Sequence, residues 1–143
     1  MPHQSYLPPP CHCTAIRQAA RQVTQIYDRH LAPAGLRASQ FSLLRAVRRH
    51  EPVGMQSLAE ICVMDRTTMS RALRPLERDG LVNVSPGSDA RTRLVQLTPT
   101  GLSLLEHMAP AWEQAQAEFE RRFGVDETTG FRAMLSRAVV QMA

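Results

Sequence analysis

The stretch DRTTMSRALRPLERDGLV, Asp65 to Val82, reads as an amphipathic helix closed by glycine. Asp65 is its N-cap: a carboxylate there accepts hydrogen bonds from the first free N–H groups of the helix. At 100° per residue, placing Met69, Leu73 and Leu76 inward puts Thr67, Arg71, Arg74 and Arg78 on the opposite face. Thr68 and Ser70 flank that face. Hydroxyls and guanidiniums in this arrangement suit phosphate oxygens and base edges. A solvated helix face carrying a few Arg has the same composition, so the helix alone leaves both readings open.

Pro75 is the anomaly. It has no N–H, so the bond to the Arg71 carbonyl is lost, at a usual cost of ~3 kcal/mol in a helix interior. It also disfavours helical angles at Arg74. A helix that reads DNA does so mainly with its N-terminal residues, here Arg66 to Arg71, upstream of the damage. The expectation is a helix that bends at Arg74–Pro75, or ends there and restarts.

Downstream, Leu81–Ser85 alternates like a strand, Pro86–Asp89 (PGSD) is a turn, and Arg93–Leu97 is a returning strand. Asp89 and Arg91 fall at or near the tip of this hairpin, and Arg93 opens the second strand. A cationic tip suits a narrow minor groove. Asp89 is placed to brace Arg91 through a charge-assisted hydrogen bond; the plainer reading is an exposed turn with a weak surface pair. Thr98-Pro99 follows as N-cap and first residue of a long helix. Its apolar stripe is Leu102, Leu105, Ala109, Trp112, Ala115, Phe119 and Phe123, and Gly124 stops it. Asp126 is expected to cap a last helix with Phe131, Leu135, Val139 and Met142 inward.

Upstream, Ile16, Ala20, Val23, Tyr27 and Leu31 recur at helical spacing from Thr14 onward. Ala32–Leu36 (APAGL) ends that helix. Ser39 is the expected N-cap of a second, with Phe41, Leu44 and Val47 inward; Pro52 and Gly54 end it. A short third helix covers about Met55 to Cys62. The order is four helices, a hairpin and two helices. The fold class is mainly α with a small β-hairpin wing, a winged helix-turn-helix whose second short helix faces the DNA major groove.

Composition agrees with one globular domain: 143 residues, 43% hydrophobic, 21% charged, net charge +4. Residues 1–50 carry seven Arg and one Asp, whereas 101–143 carry four Arg and six acids. A nucleic-acid surface therefore belongs to the earlier part of the chain. All 17 basic residues are Arg; Arg suits phosphates and guanine edges, though a GC-rich coding bias gives the same usage. MPHQSYLPPP lacks the apolar core of a secretion signal, no run of about 18 apolar residues crosses a membrane, and three Cys do not make a disulfide framework. The expected location is cytoplasmic, with reduced thiols.

Three segments together carry a resemblance: SLAEICVMDRTTMSRALRPLERDGLV, the wing triplet Asp89-Ala90-Arg91, and the exit Leu97-Thr98-Pro99-Thr100-Gly101. In these, and in its helix order from about Thr14 to Met142, the chain resembles the MarR family of bacterial transcription regulators. Pro75 departs from the commonest family pattern. The Pro-rich start reads as an extended arm, over 1–13, and the resemblance implies a single domain over 14–143, with the winged helix at about 39–98. Helices at about 14–31 and 99–142 would pair two copies. It also implies a homodimer on palindromic double-stranded DNA, usually a repressor released by a small molecule, an oxidant or a metal. The DNA-facing residues would be Arg66, Thr67, Thr68, Ser70, Arg71, Arg74, Asp89, Arg91 and Arg93. The family's ligand pocket would draw on Tyr27, His30, Phe41, Met108 and Trp112, each of which equally suits plain core.

PPPCHCTAI, Pro8 to Ile16, is the candidate signal input. Cys11 and Cys13 precede a helix, whose dipole favours thiolates. Peroxide sensing, soft-metal binding completed by other ligands, and incidental thiols all remain open; two ligands alone do not close a zinc site. Cys62 reads as a buried core thiol. No His is assigned to metal, and no cofactor is expected. An enzyme is not expected either: Cys-x-Cys is not Cys-x-x-Cys, and there is no Gly-rich phosphate loop. The alternative is a thiol-based redox or metal-binding protein whose winged helix contacts another protein.

Overall fold

A computed structural model describes residues 6–143, so the first five residues of the Pro-rich arm lie outside it. The elements are α1 (His12–Leu31), a 3-10 turn (Ala32–Ala34), α2 (Ala38–His50), β1 (Val53–Gly54), α3 (Met55–Ile61) and α4 (Arg66–Arg78). They continue with β2 (Val82–Pro86), β3 (Arg93–Leu97), α5 (Pro99–Phe123) and α6 (Val125–Gln141). The chain divides into two compact units. One is Leu31–Ala111; the other joins the residues up to His30 with Trp112–Ala143. Helix α5 gives its first part to the former and its remainder to the latter.

In the unit Leu31–Ala111, α2, α3 and α4 bury one face each against a small sheet. Leu31, Leu44, Val47, Leu58, Met69, Leu73, Leu76 and Val95 are the largest fully buried side chains. Each such burial contributes ~1.5–3 kcal/mol. The sheet has three antiparallel strands in the order β1-β3-β2, with Val53 opposite Val95 and Val84 opposite Val95 on the other side. Sequence alternation found β2 and β3 but not β1, whose two residues are too few to show a period.

Helix α4 runs unbroken from Arg66 to Arg78 with Pro75 inside it. The expected end and restart at Arg74–Pro75 does not occur. Met69, Leu73 and Leu76 are buried on both sides of Pro75, and their burial outweighs the ~3 kcal/mol proline penalty. The Pro75 carbonyl still accepts the Asp79 N–H at 3.0 Å. Gly80, at φ +72, then turns the chain out of the helix.

Other boundaries shift by one or two residues. Helix α1 starts at His12, not Thr14, so Cys13 is helical and the arm is shorter than 1–13. Helix α2 follows Arg37, not Ser39, because the Gln40 side chain accepts the Arg37 N–H at 3.1 Å and closes the turn earlier. Helix α6 follows Gly124, not Asp126. There the Gly124 carbonyl accepts both the N–H and the hydroxyl of Thr128, at 3.1 and 2.7 Å.

In the other unit, Tyr27 on α1 donates its hydroxyl to the Gln116 side chain on α5. Phe119, Phe123 and Phe131 stack with ring centroids 4.7 to 6.4 Å apart. The stripe expected to point inward on α6 does not: Leu135, Val139 and Met142 are exposed, as are Met134 and Val140. No helix among the described residues is long and apolar enough to cross a membrane.

Candidate nucleic-acid interface

Helix α4 is presented by a tight turn from α3. Met64 N–H reaches back to the Ala59 carbonyl at 2.8 Å and Val63 N–H to Glu60 at 3.1 Å, a glycine-type helix ending. Val63 occupies the left-handed position at φ +55, unusual for a β-branched residue. Asp65 then caps α4 as expected. Its carboxylate accepts the Thr68 N–H at 2.7 Å and the Thr68 hydroxyl at 2.8 Å. The Thr68 backbone bond, followed by the hydroxyl bond, holds the Asp65 carboxyl below its ordinary range. The Thr68 hydroxyl proton is thus committed to the cap and is not free for a phosphate.

Beyond the cap, Arg66, Thr67, Arg71 and Arg74 are exposed, and Ser70 is half-buried. The three guanidiniums have no ion pair among the described residues. Arg78, at the far end, pairs with Asp79 at 3.3 Å. The start of α4 is therefore a surface of unpaired Arg and hydroxyls over a buried floor of Met69 and Leu73.

The hairpin supplies a second cationic surface. Asp89 accepts the Arg91 backbone N–H at 3.1 Å, and its carbonyl accepts the Thr92 N–H at 2.9 Å. Gly87 N–H closes the loop on the Thr92 carbonyl at 2.8 Å. Asp89 thus shapes the tip through the backbone, not by bracing the Arg91 guanidinium as expected. Arg91 and Arg93 are both exposed, with Arg93 opposite Pro86 at the outer end of the ladder.

The base of the hairpin is tied to the end of α4. The Thr98 hydroxyl donates to the Gly80 carbonyl, Thr98 N–H donates to Leu81 at 3.1 Å, and Gly101 N–H donates to the Thr98 hydroxyl at 3.0 Å. A Cβ on Gly101 would lie 2.9 Å from the Leu81 carbonyl carbon and overlap its oxygen. Only glycine allows this crossing. From the α2 side, Glu51 accepts the Leu97 N–H at 2.8 Å. No local pattern in the sequence announced that bond, because its partners lie far apart in the chain.

A family model agrees with these features: the MarR family matches residues 36–92, from the start of α2 through the hairpin tip. The M. tuberculosis transcriptional regulator MosR, solved in complex with DNA, is 37% identical, with a TM-score of 0.76 over 90% of this chain and 98% of that one. The chain belongs to the MarR family. Among curated relatives, the HTH-type transcriptional repressor NicR of Pseudomonas putida is 31% identical over 69% of this chain. That match spans 63% of NicR, less than two thirds of its length. A mutant of MarR from E. coli, solved with operator DNA, has a TM-score of 0.80 at 22% identity over 88% of this chain and 91% of that one, which speaks for the winged-helix fold alone. These relatives are transcriptional regulators and not enzymes.

Cys11 and Cys13 are exposed. Cys11 immediately precedes α1, and hydrogen bonds from the Thr14 side chain and then its backbone hold the thiol below its ordinary range. Cys62 is half-buried, and burial pushes its thiol up. Tyr27 lines a cleft of about 520 Å³ among α1, the end of α5 and α6, with Ile16, Val23, Phe119, Phe131 and Arg132. His30 and Trp112 do not line it; His30 instead meets Glu118 at 2.6 Å. Phe41 and Met108 are buried in the unit Leu31–Ala111.

Proposed function

We propose that this chain is a homodimeric, sequence-specific DNA-binding regulator, in the repressor mode, released by an oxidant acting on its N-terminal thiols. The single observation that carries the DNA reading is the pairing of two cationic surfaces on one compact unit. Arg66, Arg71 and Arg74 along α4 have no ion pair among the described residues, and Arg91 and Arg93 stand exposed on the hairpin. Helix N-terminal residues suit major-groove base edges, and an Arg-bearing ribbon suits a minor groove. The complex of MosR with DNA supports the same use of this fold.

Two copies are supported by α6. Met134, Leu135, Val139 and Val140 stay exposed on one helix, and apolar surface of that kind marks an interface. A symmetric dimer would place two copies of α4 about one DNA turn apart, on a palindrome. Repression is supported by the relative NicR, a transcriptional repressor. The oxidant signal rests on the exposure of both thiols and the lowered value at Cys11, which raises the thiolate fraction.

The test is selection of bound duplexes from a random-sequence library by the full chain, followed by salt titration on the enriched duplex. The expected result is an enriched palindrome and an affinity that falls steeply with salt. No enrichment, or an affinity indifferent to salt, overturns the DNA reading. Sedimentation of Leu135→Glu alongside wild type tests the dimer: the variant should be a monomer.

A further inference from the structure

We infer that Glu51 is a positioning residue for DNA binding: its carboxylate holds the wing strand at the angle from which Arg91 reaches the duplex. The inference rests on the DNA reading above.

The ladder geometry singles out Glu51. Strand β3 is the central strand, with β2 on one side and β1 on the other. Val95 pairs with Val53 of β1, so the same antiparallel register would set residue 51 opposite Leu97. Strand β1 is only Val53–Gly54 and does not extend that far. Pro52 and Glu51 lie before it, outside the ladder. The Leu97 N–H, pointing to the β1 side, would be left without a backbone acceptor. Glu51 Oε2 takes it at 2.8 Å. A side chain thus supplies the rung that the short strand omits.

The other carboxylate oxygen is also held. Arg48, one turn back at the end of α2, donates to Glu51 Oε1 at 3.1 Å. The Glu51 side chain is 20% exposed, against 56% for Arg48. The bond to Leu97 therefore lies on the sheltered side, where a charge-assisted hydrogen bond keeps its strength. Leu97 directly precedes Thr98, whose backbone and hydroxyl grip Leu81 and Gly80. The foot of the wing is fixed on both edges: the α4 end holds Thr98, and the α2 end holds Leu97 through Glu51. Arg91 lies at the other end of the same hairpin, so a small rotation at Leu97 becomes a larger displacement at the tip. The inferred effect of Glu51 passes through the wing, by way of its bond to Leu97.

The experiment is a double-mutant cycle on the duplex selected by wild type. Affinities are measured for wild type, Glu51→Ala, Arg91→Ala and the double variant, with Glu51→Gln as the conservative control and far-UV circular dichroism on each. We expect Glu51→Ala to weaken binding about fivefold when Arg91 is present, and less than about twofold when Arg91 is already Ala. Glu51→Gln keeps an acceptor for Leu97 and should restore affinity to within about twofold of wild type. If Glu51→Ala does not fold, Glu51→Asp, one methylene short of the amide, takes its place in the cycle with the same expectation. Unchanged affinity, or an equal loss with and without Arg91, overturns the inference. Failure of wild type itself to enrich any duplex strikes the DNA reading instead, so the two failures are distinct.

Discussion

His30 Nε2 stands 2.6 Å from Glu118 Oε2, and the second oxygen of that carboxylate takes Arg29 at 2.9 Å and Arg122 at 2.8 Å. One carboxylate on α5 therefore ties down two residues of α1 and one of its own helix. The His30 hydrogen bond, followed by the two Arg charges, holds the Glu118 carboxyl below its ordinary range. A depressed carboxylate stabilises the fold above its unfolded value and loses that contribution as pH falls through the folded one. Glu118→Gln should therefore lower Tm at pH 7, and the gap to wild type should close below about pH 4, where the unfolded carboxylate is itself protonated. Thermal unfolding of both proteins across pH checks it. A gap that widens in acid would contradict the assignment.

Arg71→Ala should weaken binding to the selected duplex by about tenfold or more, with relaxed preference at one base pair, if Arg71 meets a base edge. Arg66→Ala should instead weaken binding evenly across sequences and reduce the salt slope by about one, as a phosphate contact does. Thr68→Val separates the roles within the same turn. Its hydroxyl donates to the Asp65 cap while its N–H keeps the main cap bond, so the variant should lower Tm slightly, with little change in sequence preference.

Cys11 should react with peroxide faster than the other thiols, and its reaction should have a pH midpoint below the ordinary thiol value. The sign follows from the depressed thiol: more thiolate survives at lower pH. Thr14→Val removes the hydroxyl that contributes most to that depression and should move the midpoint up. Mass spectrometry of wild type, Cys11→Ser and Thr14→Val across pH reads both effects. A wild type left unmodified at Cys11 and Cys13 would remove the oxidant signal from the functional proposal.

Two backbone positions should respond in opposite directions. Gly80 sits at φ +72 with open space where a Cβ would go, so Gly80→Ala costs only the left-handed strain, ~1 kcal/mol. Val63 already bears that strain at φ +55. Val63→Gly relieves it and should stabilise by about 0.5 kcal/mol, after allowance for the greater freedom of glycine in the unfolded chain. Denaturant midpoints measured together would expose any reversal of that order.

Much of this was legible in the sequence because its signals are local. Asp65 and Thr98 announced helix starts by residue type, and Met69, Leu73 and Leu76 gave the buried face of α4 by spacing alone. What escaped depends on distant partners. Pro75 argued for a helix that bends or breaks, and the burial that keeps it unbroken comes from the rest of the unit. Strand β1 is defined by its pairing with β3 and not by any alternation of its own. Nothing near Glu118 in the sequence foretells Arg29 and His30 as its partners. On α6, apolar spacing predicts an inward face that the fold does not cover. Leu135 and Val139 show why that fails: periodicity locates an apolar face but not what covers it.

The crossing of Gly101 over Leu81 has no side chain to cushion it. Ordinary helix contacts absorb a small twist by letting rotamers hop, and the disturbance dies within a layer of atoms. Here main chain bears on main chain, and the neighbouring Thr98 grips Gly80 from the same turn. Torque on α5 has no slack to take up at this joint. It must reappear as movement of the segment leaving α4, which makes the joint a mechanical relay whose stiffness is set by one missing methyl group.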